Sequence, residues 1–120
     1  MRELKDDQLT NKYTRVFHEE DYTSKAPHHF EVYTDRGEPV PKLVGKVDFQ
    51  EGPIKEAGVN GVMDEDLLVM IKCRLEHFNQ TEFRCKENSM SITKIEEALL
   101  WLRKRTMDRE DRGVEGTHEV

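Results

Sequence analysis

Five cations, Arg103, Lys104, Arg105, Arg109 and Arg112, fall within ten residues of a chain whose formal net charge is −6. If that stretch is helical, Trp101, Arg105 and Arg109 stand at i, i+4 and i+8 and share one face. Guanidinium groups are planar forks that match phosphate oxygens in pairs, so two of them one turn apart suit a phosphate or pyrophosphate. The same residues also suit a plainer role. Lys and Arg complement the negative end of a helix dipole, with Asp108, Glu110 and Asp111 as solvated partners. Spacing alone leaves both readings open.

Phe78 and Phe83 bracket a break between two periodic segments, and Asn88 follows Phe83 by about one and a half turns. Aromatic rings stack on nucleobases, and an Asn amide, with donor and acceptor, suits a base edge or a ribose hydroxyl. Phe78 is also the last member of an apolar stripe, which makes it a core candidate. Cys73 and His77 stand at i, i+4, with Cys85 nearby. A structural zinc site needs four ligands in paired motifs, and no second pair exists, so the metal expectation is none. His28 and His29 are a weaker signal. The clusters Glu19–Asp21 and Asp64–Asp66 lack an EF-hand pattern and read as solvated or capping charges. The chain has no GxSxG, no GxxxxGK[ST], no HExxH and no dinucleotide fingerprint. Binding without catalysis is therefore the expectation.

These residues must be positioned by a short, polar chain. It has 120 residues, 37% of them charged, and a mean hydropathy of −0.85. Leu, Ile, Val and Phe make up about 23%, just above the roughly 20% at which disorder becomes the default. A single domain so poor in apolar side chains gains little by folding alone, which favours an oligomer. The negative charge argues against a DNA or RNA polymer as partner. No stretch approaches the length of a membrane span, the N-terminus lacks the apolar core of a secretory signal, and two thiols fit a reducing cytosol.

Residues 1–12 read as a loose polar arm. Residues 13–18, 29–34 and 43–50 read as strands, the last with Leu43, Val47 and Phe49 on one face. Ser24 and Pro27 lie in an expected loop, and Arg36 and Gly37 in a strand break. Residues 51–63 carry turn chemistry. The period then changes to 3.6. Leu68, Ile71, Leu75 and Phe78 stripe a first helix that begins near the acidic Asp64–Asp66. Thr81 is the expected cap of a second helix over about 82–111, striped by Ile92, Ile95, Leu99 and Leu102. The expected class is α+β: a small N-terminal antiparallel sheet (13–50), a C-terminal two-helix hairpin (64–112) and a tail (113–120), within one domain over 13–120. The longer helix would overhang the shorter by roughly 20 Å, and a second subunit is the natural cover.

Three segments carry a more specific signal when taken together. They are FQEGPIKEAGVNG at 49–61 leading into MDEDLL at 63–68; RLEHF at 74–78 with CKENSM at 85–90 and KIEEALLWLRKRT at 94–106; and GVEGTH at 113–118. The combination resembles the phage Thoeris anti-defence family of signal sponges, whose fold is shared with anti-CBASS nucleotide sponges. The resemblance implies a phage protein acting in the cytoplasm of the infected bacterial host. It implies binding, without cleavage, of cyclic ADP-ribose isomers, and in some members of cyclic dinucleotides or trinucleotides at a separate site. It implies a homo-oligomer, a dimer or three dimers in a hexamer, with the ADP-ribose pocket at the dimer interface. Carried over by position, Phe78 stacks on the base, Asn88 contacts the ligand, and Arg105 and Arg109 meet the phosphates. The rival classes are a small hydrolase of nucleotide signals and a helical protein-interaction module without a nucleotide ligand.

Overall fold

The computed structural model describes residues 1–22, 25–35 and 39–120. The expectations for Ser24, Arg36 and Gly37 lie outside the described residues. The chain forms two compact units. One comprises Met1–Gly52 with Ala57–Val62, the other Pro53–Glu56 with Met63–Val120.

The first unit is a four-stranded antiparallel sheet in the order β1-β2-β3-β4, formed by Arg2–Leu4, Thr14–His18, His29–Thr34 and Leu43–Asp48. Three of these strands follow the alternation in the sequence. Val16 pairs with Val32, and Phe30 with Val47, on one face. The rings of Phe17 and Tyr33 meet edge-on at 5.6 Å on the other. The first strand corrects the expectation of a loose arm: residues 2–4 register against Val16–His18 as the sheet edge. Three residues are too few to show a period of two, so pairing with β2, not a local pattern, makes them a strand.

The fourth strand differs from the expected alternation in one respect. The register shifts beside Val32 and Tyr33, so Leu43 lies opposite Tyr33 while Val47 lies opposite Phe30. Tyr33 and Phe30 are three residues apart and face opposite ways. Leu43 and Val47 therefore fall on opposite faces, as a bulge requires. The following loop closes on itself. Asn60 donates through its backbone N–H to the Gln50 side chain (2.9 Å) and through its amide to the Glu51 carbonyl (2.7 Å). Gly61 passes so close to the chain that an added Cβ would lie 2.4 Å from the Phe49 carbonyl carbon.

The second unit is the helical hairpin. A four-residue turn of helix, α1 (Ile54–Ala57, its last residue in the sheet unit), precedes α2 (Asp64–Phe78) and α3 (Lys86–Asp111). Two ion pairs fix the antiparallel register of the long helices: Lys72 with Glu96 (3.3 Å) and Glu65 with Arg105 (3.7 Å). Ile92, Ile95, Leu99 and Leu102 are half-buried along the expected stripe, as are Leu68 and Leu75, whereas Ile71, expected in the α2 stripe, is exposed on this lone subunit. No described side chain is fully buried, in keeping with the thin apolar content.

The second helix begins later than its expected start near residue 82. Thr81 caps a turn instead, accepting from the Phe83 N–H (3.1 Å) and donating to the Phe78 carbonyl (2.6 Å). Asn79 accepts the Cys85 N–H (3.3 Å) and donates to the Ser89 hydroxyl (3.0 Å), which holds residues 79–85 off the helix. The cap of α3 is Cys85, whose sulfur accepts the Asn88 N–H at 3.4 Å. The later start leaves α3 with 26 residues against 15 in α2, an excess of about 16 Å of helix divided between the two ends. With Glu65 beside Arg105, the last six residues of α3 run past the start of α2. Its own tail lies against this end.

Candidate functional site

The end of α3 carries the basic cluster. Trp101, Lys104, Arg105, Asp108, Arg109, Arg112 and the terminal Val120 line an open concavity of about 490 Å³. Helical periodicity brings Trp101, Arg105 and Arg109 there, as their spacing predicts. Trp101 is 64% exposed, an unusual place for an indole on a lone subunit.

The cations differ in how far the protein already satisfies them. Lys104 pairs with Asp108 at 3.1 Å and Arg103 approaches Glu110 at 3.7 Å, the solvated arrangement of the plainer reading. Such exposed pairs contribute little to stability. Among the described residues, Arg105 has one charged neighbour, Glu65, at 3.7 Å, beyond hydrogen-bond reach. Arg109 is held more firmly. Its Nη2 donates to the carbonyls of Val114 (3.1 Å), Thr117 (3.0 Å) and Glu119 (2.7 Å). Nε and Nη1 of the same guanidinium take no acceptor among the described residues; because both paired edges include Nη2, they offer single N–H donors and not a free fork.

The tail that engages Arg109 was not legible as part of the site. Residue 113 has a positive φ of 73°, which ends α3 as its glycine suggested. Beyond it the chain folds back. The Lys55 N–H donates to the Gly116 carbonyl (2.9 Å), His118 pairs with Glu56 (2.6 Å), and Arg112 donates to the Val120 carboxylate (2.7 Å). No sequence pattern pairs a helix arginine with three carbonyls downstream, because backbone acceptors are present at every residue.

Phe78 and Asn88 lie at the opposite end of the hairpin. Phe78 ends α2 and is 38% exposed, so its ring is only partly taken up by the stripe that its spacing suggested. With Arg74, His77 and Thr81 it lines a second concavity, of about 310 Å³. Asn88 sits in the first turn of α3, half-buried, and its side-chain amide has no partner among the described residues. Asn88 and Arg105 are separated by 17 residues of one helix, roughly 26 Å. One subunit thus brings Phe78 near Asn88, and Arg105 near Arg109, but not the two pairs to each other.

The sulfur and imidazole groups are engaged locally. The His77 Nδ1 lies 2.8 Å from the Cys73 carbonyl and 3.7 Å from its sulfur. Among the described residues, no group of three or more His, Cys, Asp or Glu is arranged to hold a metal ion. In the sheet unit, His29 lies 2.8 Å from Asp48, 3.2 Å from Glu51 and 3.9 Å from Glu19. The hydrogen bonds to Asp48 and Glu51 raise its pKa above the usual 6.5. Burial acts to raise the Glu19 carboxyl, but the backbone N–H groups of His28 and His29 outweigh it and hold that pKa below the ordinary 4.5. The sheet has its own concavity of about 500 Å³, beside Phe17 and Tyr33. Its arginine, Arg15, already lies between two carboxylates, Asp35 at 3.1 Å and Glu3 at 3.7 Å, which would compete with a phosphate for it.

The chain is of the α+β class, a sheet followed by a two-helix hairpin with a basic tip, and comparison with known sequences specifies its family. The Acb2/Tad1 hairpin domain matches residues 42–107, which take in β4, α2 and α3 as far as Met107. Thoeris anti-defense 1 of Bacillus phage SBSphiJ7 is 47% identical over an alignment covering 99% of either chain. The chain belongs to the Acb2/Tad1 family.

Proposed function

We propose that this protein is a phage anti-Thoeris factor that binds and sequesters, without cleaving them, cyclic ADP-ribose-type messengers made by the infected host. The observation that carries the proposal is the concavity at the end of α3, where Arg105 and the unengaged Nε and Nη1 donors of Arg109 lie beside Trp101. The full-length relationship to a protein named for anti-Thoeris defence supplies the biological setting. No helix among the described residues is long and apolar enough to cross a membrane, and the proposed place of action is the host cytoplasm.

In this reading Phe78 stacks on the base, Asn88 contacts the ligand, and Arg105 and Arg109 hold the phosphates. The separation of roughly 26 Å along α3 makes the site composite. It is completed when a second copy brings its Arg105 and Arg109 to the first copy's Phe78 and Asn88. The half-buried stripes, and the exposed Leu100 and Trp101 on α3, suit packing between copies as a dimer or a trimer of dimers. Charge-assisted hydrogen bonds contribute about 1.5–3 kcal/mol each and a base stack about 1–3. After the cost of lost freedom, micromolar to nanomolar affinity is within reach. A sponge needs such affinity because it acts by stoichiometry and not by turnover. A separate site for cyclic dinucleotides or trinucleotides is part of the proposal, with no residues assigned.

Calorimetry with a panel of cyclic ADP-ribose isomers tests the assignment. The wild-type protein binds at least one isomer, while Arg105→Ala with Arg109→Ala remains folded and loses that binding. Undiminished binding by the double variant would remove the phosphate roles. No binding heat with any isomer, from a folded wild-type protein, would favour the interaction-module reading, in which the Lys104–Asp108 and Arg103–Glu110 pairs are simply a solvated helix end.

A further inference from the structure

Phe78 does not stand alone at its end of the hairpin. Arg74, one turn earlier on α2, places the carbon of its guanidinium 5.1 Å from the centroid of the Phe78 ring. That is within the range of a cation–π contact, in which the positive group is drawn to the negative face of the ring. The i, i+4 relation makes the pairing a property of the helix itself. Arg74 makes no ion pair with a carboxylate among the described residues, so the ring is its principal partner. Neighbouring groups fix the rest of the corner. Thr81 ties its hydroxyl to the Phe78 carbonyl at 2.6 Å, and His77 turns back to the Cys73 carbonyl at 2.8 Å. Arg74, His77, Phe78 and Thr81 together line the 310 Å³ concavity.

A phenyl ring at a helix C-terminus, 38% exposed, has several staggered rotamers open to it. A base stacks well only on a plate already held in one of them, since ordering a side chain on binding costs affinity. We infer that Arg74 is a positioning residue for the Phe78 plate: its guanidinium covers one ring face and holds the rotamer, leaving the opposite face to a single base. This rests on the stacking role proposed for Phe78. It adds a fifth residue to the site, one that acts through the ring and not on the phosphates. It also makes the plate one-sided, with one base per Phe78.

A double-mutant cycle read by calorimetry tests this, using the tightest-binding cyclic ADP-ribose isomer as probe. Arg74→Ala is expected to weaken binding about two- to fivefold, the range for an exposed cation–π contact, and Arg74→Lys to restore most of the loss. In a Phe78→Ala background, Arg74→Ala is expected to have no further effect. Proton spectra of the free protein give an independent reading: the Arg74 side-chain resonances are shifted upfield by the ring and return to ordinary positions in Phe78→Ala. Unchanged affinity in Arg74→Ala, an equal loss in both backgrounds, or unshifted Arg74 resonances would each overturn the inference while leaving the Phe78 stack intact. Failure of the wild-type protein to bind any isomer would overturn the stacking proposal itself, and this inference with it.

Discussion

Arg109 shows how one side chain can serve two ends. Its Nη2 gathers three tail carbonyls, while its Nε and Nη1 take no acceptor among the described residues and the side chain lines the basic concavity. Arg109→Ala is therefore expected to do more than Arg105→Ala. Both variants weaken messenger binding, each by about ten- to a hundredfold for a lost charged hydrogen-bonding group. Only Arg109→Ala also raises hydrogen exchange at residues 114–120. Equal exchange in the two variants would show that the tail is held by other contacts. His29 offers a separate test in the sheet. A pKa raised in the folded state means that protonated His29 stabilises the fold. The contribution is full below about pH 6.5 and is lost as pH rises through the raised value. The melting temperature should fall across that interval, and the fall should be smaller in His29→Gln. A pH-independent difference between the two proteins would contradict the assignment. The cation cluster and Phe78 were legible in the sequence because periodicity places them. The Arg109 acceptors and the Arg74 contact were not, since one set is backbone and the other depends on a rotamer.

At the scale of elements, the longest signals were the most legible. Both apolar stripes of the hairpin, and the strands at 14–18, 29–34 and 43–48, follow the periods in the chain. The differences sit where a pattern is too short or where a competing hydrogen bond wins. The three-residue β1 exists through pairing, the bulge in β4 separates Leu43 from Val47, and Asn79 displaces the start of α3. The turn at 51–62 makes a sharper prediction. Gly61→Ala forces a Cβ to within 2.4 Å of the Phe49 carbonyl carbon, so the backbone must move. A loss of about 1–3 kcal/mol, the usual range for overpacking, is expected in chemical denaturation. A variant as stable as the parent would mean that this crossing is looser than the structure has it.

At the scale of the whole molecule, the absence of any fully buried described side chain and the long reach of α3 point the same way. A site completed by a second copy predicts complementation. Phe78→Ala and the Arg105→Ala, Arg109→Ala double variant should each bind too weakly, after the loss of about 1–3 kcal/mol or more, to retain messenger through filtration. Unfolded together and refolded, they should recover about a quarter of the wild-type capacity, since half the dimers are mixed and one of their two isologous sites is intact. No recovery would contradict a site shared between two copies. Sedimentation of the wild-type protein as a monomer would be equally damaging.

The central claim is sequestration without chemistry, and the fate of the captured ligand tests it directly. The protein is saturated with its messenger, freed of unbound ligand by filtration and heat-denatured, and the supernatant is analysed by mass spectrometry. Chemically intact messenger, in amounts close to the number of sites, is the predicted result. A hydrolysed product, or a supernatant empty of nucleotide, would contradict it.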